Sequence, residues 1–127
     1  MKRQLFLTLF LLAFTLLLGI VCEFGGRHYA TLYQNDMLPV AAALAEEDWD
    51  EALRRIEIIR TNWKQDSRIV QLWVNHADID HVSEALISLL AAVITQDLTA
   101  ALDACGQCTE NFGHLHHRDA FTLRNIL

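Results

Sequence analysis

The chain has 127 residues, with 10 Lys or Arg against 16 Asp or Glu and a formal charge of −6. That length predicts one domain, and the acidic balance argues against a partner with a phosphate backbone, so no nucleic acid is expected.

A basic tip, Lys2 and Arg3, precedes the 18 uncharged residues from Leu5 to Cys22. A run of that length covers a hydrocarbon core of about 30 Å. The stretch "GIVCEFGG" offers no small-x-small cleavage pattern, and Gly19 to Cys22 lacks the residue order of a lipoprotein box. Residues 1–24 are therefore expected to form an uncleaved signal-anchor rather than a removed signal peptide. The positive-inside rule keeps Lys2 and Arg3 in the cytoplasm and predicts a single-pass protein of the cell membrane, with residues 25–127 as an extracytoplasmic helical domain. With those two cations set aside, 8 basic residues face 16 acidic ones, a net −8 that anionic lipid heads would repel.

No long run alternates with period two, and Gly and Pro are absent from Val40 to Cys105, so the fold class is all-α. Gly25 and Gly26 permit a bend where the anchor ends. Asp36 is a candidate N-cap with Pro39 in the first turn, followed by Val40, Ala41 and Leu44 facing inward. Asp48 and Glu51 form a D-x-x-E capping box for the next helix, whose apolar stripe is Trp49, Ala52, Leu53, Ile56, Ile59 and Trp63. Asp66 and Ser67 break that phase and predict a turn and a new cap. From Ser67 the third stripe runs through Ile69, Leu72, Trp73, His76, Ile79, Asp80, Ser83, Leu86, Ile87, Leu90 and Ile94. "TQD", residues 95–97, is a turn, and the last helix carries Leu98, Leu102, Cys105, Cys108, Phe112, Leu115, His116, Asp119, Leu123 and Ile126. Short connections imply an antiparallel bundle of three or four helices behind the transmembrane helix, with no internal repeat.

Two stripes carry polar intruders. Folding the last two helices about Gln96 pairs residues whose numbers total about 192, which sets His76 opposite His116 and brings Asp80 and Asp119 within about one helical turn of them. A buried hydrogen-bonded network is the structural reading, since such groups persist in a core only in mutually satisfying sets. The alternative is a divalent transition metal, zinc, manganese or iron, held by His76, Asp80, His116 and Asp119, although the Glu-x-x-His signature of bundle metal sites is missing. His81, His114 and His117 fall off the stripes and are expected in solvent. "CGQC" has the C-x-x-C spacing of thiol oxidoreductases, but Cys105 and Cys108 fall mid-helix on the inward stripe, which suits small core residues better than a redox pair. Trp49, Trp63 and Trp73 all lie on stripes and are expected in the core. Cys22 belongs to the anchor.

The order of basic tip, apolar anchor, "DW..AL" helix, Asn75-His76, Ile79-Asp80 and the ending Arg124-Asn125-Ile126 resembles domain-of-unknown-function family 4363, short single-pass bacterial proteins. The likeness runs along essentially the whole chain and implies a membrane-tethered helical domain, adding no activity, substrate or cofactor. Asp78 and Asp119 keep only the acidic character of that pattern. "CGQC" lies outside it, which weakens a family-wide redox role. No nucleophile, base and orienting group come together, and no Gly-rich loop is present. The sequence thus favours a non-enzymatic binding or scaffold partner of another membrane or envelope protein, with metal binding as the alternative and thiol redox chemistry third.

Overall fold

The computed structural model describes residues 1–72 and 74–117, the last two by backbone alone. Trp73 and residues 118–127 fall outside that range, and with them the inward positions expected for Trp73, Asp119, Leu123 and Ile126. Four helices account for the described chain: α1, Lys2–Ala45; α2, Trp49–Val70; α3, His76–Ile94; and α4, Leu98–His117. Among the described residues there is no strand. Each helix packs on the next, and α4 closes the ring against α1.

The expected break in α1 does not occur. Its 44 residues run straight through Gly25, Gly26 and Pro39. Glycine costs a helix only about 1 kcal/mol relative to alanine, and packing of the buried Gly26, Ala30, Tyr33, Met37 and Val40 outweighs that. The hydrogen bond missing at Pro39 leaves the carbonyl of Asn35, an exposed position that water reaches. Asp36 is consequently no cap. It sits half-buried mid-helix, where desolvation raises its carboxyl above the usual range against the opposing pull of Arg55.

Real caps stand where helices begin. Asp48 Oδ1 accepts from the Glu51 N–H, as the capping box predicts. Asn75 Oδ1 accepts from the Ala77 N–H, and Asp97 Oδ1 from the Ala100 N–H. Glu51 in the first turn of α2 also takes Arg54 and Arg55, which hold its carboxyl down at about 2.

The two interhelical turns at Glu46–Asp48 and Thr95–Asp97 are copies of one another. In each, the last three amides reach back to the same carbonyl positions: Glu46, Glu47 and Asp48 to Ala42, Leu44 and Ala43, and Thr95, Gln96 and Asp97 to Ala91, Val93 and Ala92. The middle residue of each is left-handed, with φ of 54° at both Glu47 and Gln96. Asp97 follows Asp48 by 49 residues, and the same offset carries all nine buried positions from Tyr33 to Trp63 onto buried positions of α3 and α4, from Val82 to Phe112. The domain is therefore two hairpins of one design, α1–α2 and α3–α4, which corrects the expectation of no repeat. Glu47→Gly combined with Gln96→Gly should raise the unfolding free energy by up to about 1 kcal/mol per site, because glycine takes this backbone without a Cβ clash. Denaturant titration of the double variant checks this.

Candidate functional site

The core has one mixed layer. Tyr33 from α1, Trp63 from α2 and Phe112 from α4 meet there, with Tyr33 stacked on Phe112 at 4.7 Å and Trp63 edge-on to both at 5.3 and 5.5 Å. Each polar tip has a partner, as buried Tyr and Trp require. The Tyr33 hydroxyl donates to Asp66 Oδ2 at 2.6 Å, and Trp63 Nε1–H donates to Ser83 Oγ at 3.3 Å. The Ser83 hydroxyl in turn donates to the carbonyl of Ile79. Burial first, and the carboxylate of Asp66 second, raise the Tyr33 phenol far above its ordinary range. These bonds explain why α2 does not end at Asp66. Trp63, Asp66 and Val70 continue its inward face, and the carboxylate stands there because the phenol meets it.

On the outer side of this layer an open groove of about 440 Å³ separates α2 from α3. Trp63 and Ser83 form its inner wall, Leu86 and Ile87 an apolar side, and Arg60, Lys64 and Ser67 its rim. Arg60 is engaged by Glu57 at 3.2 Å, whereas Lys64 is exposed on an otherwise acidic protein.

The expected His/Asp cluster is not formed as predicted. Its register is right: the Asn111 amide donates to the His81 carbonyl at 3.3 Å, two residues whose numbers total 192. The rotation of α3 is not. That helix starts at the Asn75 cap rather than at Ser67, so Asp78, Val82, Ala85, Leu86, Leu89, Ala92 and Val93 face inward. His76 and Asp80 both point into solvent, and Ile87 and Ile94 are exposed with them. The side chain of His116 and all of Asp119 lie outside the described residues. His81 and His114 are exposed, as expected. Among the described residues no three His, Cys, Asp or Glu side chains gather as a metal site would require. The buried carboxylate of this helix is Asp78, 4% exposed at the third helical position. Sequence reasoning missed it, although Asn75-His76-Ala77-Asp78 is itself a cap sequence whose acid favours the helix N-terminus.

A sequence profile described as "Domain of unknown function (DUF4363)" matches residues 28–126. The chain belongs to this family. No curated protein and no solved structure matches it. The whole mixed layer, Tyr33, Trp63, Asp66, Ser83 and Phe112, lies inside the DUF4363 match, and the apolar stretch Leu5–Cys22 precedes it.

"CGQC" in this DUF4363 chain is part of the core, as its place on the inward stripe suggests. Cys105 and Cys108 take the positions that Ile56 and Ile59 hold in α2. Both are buried, both are free thiols, and burial raises both, Cys108 to about 12. Ready thiolate chemistry needs the opposite shift and an exposed sulfur. A raised thiol gives stability that is complete below the unfolded value near 9 and is lost as pH climbs toward 12, because the unfolded chain sheds that proton first. Thermal melts between pH 8 and 11 should therefore fall, and Cys108→Ala should flatten that fall. Parallel curves for the two proteins would contradict the assignment.

Proposed function

We propose that the chain is a membrane-anchored, non-enzymatic binding or scaffold protein whose bundle grips another membrane or envelope protein outside the cytoplasm. One observation carries this reading: α1 is a single helix whose first half is bare apolar surface and whose second half is bundle core. From Leu5 to Val21 large side chains such as Phe6, Phe10 and Leu17 are more than half exposed, an apolar area too large to leave in water. The few polar groups in the run are turned inward, Thr8 and Thr15 donating to the carbonyls of Gln4 and Leu11, as a helix in lipid requires.

The rigid mount fixes what the groove can reach. α2 runs back along α1 with Tyr33 level between Trp63 and Asp66, so the groove residues Arg60 to Ser67 stand about 13–23 Å beyond the end of the apolar run. That height suits the juxtamembrane part of a neighbouring membrane protein. A rim on which Glu57 engages Arg60 and leaves Lys64 exposed, with the aliphatic wall, suits a segment offering a carboxylate to Lys64 and an apolar side chain to Ile87. A photo-crosslinking residue at Ile87 in living cells should give a discrete adduct with a membrane-fraction protein, lost on Lys64→Glu and absent from the opposite-face position Asn35. No adduct at Ile87, or one indifferent to Lys64→Glu, would contradict the proposal.

A further inference from the structure

We infer that the α2–α3 connection is a second membrane contact, seating Leu72 in the lipid headgroup layer with Ile69 at its outer edge and Arg68 toward lipid phosphates. This rests on the anchored reading of α1 and adds a site that the anchor alone does not require. The level of the connection follows from the fold. Tyr33 is bonded to Asp66 and packed on Trp63, so antiparallel α1 and α2 set residue 72 beside Gly25. Gly25 is three residues past Cys22, the last of the uncharged run, a rise of about 5 Å. The headgroup layer on each side of the hydrocarbon is about 5–8 Å thick. Leu72 therefore reaches that layer whenever α1 spans the bilayer.

Exposure and charge agree with the level. Leu72 is 77% exposed at the tip of the connection, and Ile69 and Phe24 at the same end are also exposed. An aliphatic side chain this bare at a turn is poorly placed in water and well placed at an interface. From Gln65 to Ala77 the exposed ionised side chain is Arg68, since Asp66 is taken by Tyr33. The opposite end of the bundle gathers Glu46, Glu47, Asp48, Asp50 and Asp97 around the two tight turns. Five acidic side chains are thus held away from the bilayer, which weakens at the connection the repulsion expected from the composition.

The test uses the full chain with Cys22→Ser, labelled at one added cysteine with the fluorophore NBD and reconstituted in phosphatidylethanolamine/phosphatidylglycerol vesicles. Cys105 and Cys108 are buried, and protein without the added cysteine gives the labelling baseline. Leu72→Cys and Ile69→Cys report the connection, Phe14→Cys the anchor, and Ile94→Cys the far end, about 35 Å from the lipid edge. Bromolipids should quench labels at 14, 72 and 69 several-fold more than at 94, with a blue-shifted emission at 72. Quenching at 14 while 72 and 69 behave like 94 would overturn the second contact and leave the anchor standing. Absence of quenching at 14 as well would remove the anchor and the contact together.

Discussion

Phe112→Ala should cost the bundle about 3–5 kcal/mol. The ring is wholly buried, stacks on Tyr33 and takes the edge of Trp63, so its removal opens a cavity bounded by two rigid aromatic groups that cannot collapse into it. Leu102, on the same helix but 45% exposed, should lose less than about 1 kcal/mol when truncated. Denaturant unfolding of both variants in detergent, followed by helical circular dichroism, gives the comparison. Similar midpoints would mean that α4 does not dock through Phe112.

The second large effect concerns the bond beneath that stack. A hydrogen bond to a carboxylate is worth about 1.5–3 kcal/mol, and a buried partner left behind adds its own desolvation cost. Tyr33→Phe leaves the ring packing intact and strands Asp66. Asp66→Ala strands the phenol in a place where burial already disfavours any charge. Each single change should destabilise by about 2 kcal/mol, and the double change by clearly less than their sum, since the second substitution has nothing left to break. Strict additivity would show that the two groups do not meet in solution.

Much of this arrangement could be read from residue spacing. The stripe of α2 up to Trp63 emerged because aliphatic residues recur there at three and four, and the register of α3 on α4 followed from the "TQD" turn. Other features were hidden for physical reasons. A carboxylate at an inward position looks like a helix end unless its partner is known, and Tyr33, 33 residues away, is that partner for Asp66. A helix end at Asp66 implies a start of α3 at Ser67 and a rotation that turns His76 and Asp80 inward, whereas α2 runs to Val70 and α3 begins after the Asn75 cap. Gly25-Gly26 and Pro39 are stop signals in an isolated helix, but from Gly26 onward α1 packs against α2 and α4 and stays helical through Pro39. The hairpin repeat was invisible because it conserves burial rather than identity: Tyr33 answers to Val82, and Ile56 to Cys105.

The continuity of α1 ties the apolar run to the bundle, and spin-label distances probe it most directly. Nitroxides at Phe10→Cys and Ala42→Cys, both exposed positions, in a chain with Cys22→Ser, should give one narrow peak at about 48 Å, the length of 32 helical residues. A broad distribution, or a peak shorter by 10 Å or more, would mean that the chain bends at Gly25-Gly26 and that the bundle swings freely on the apolar run.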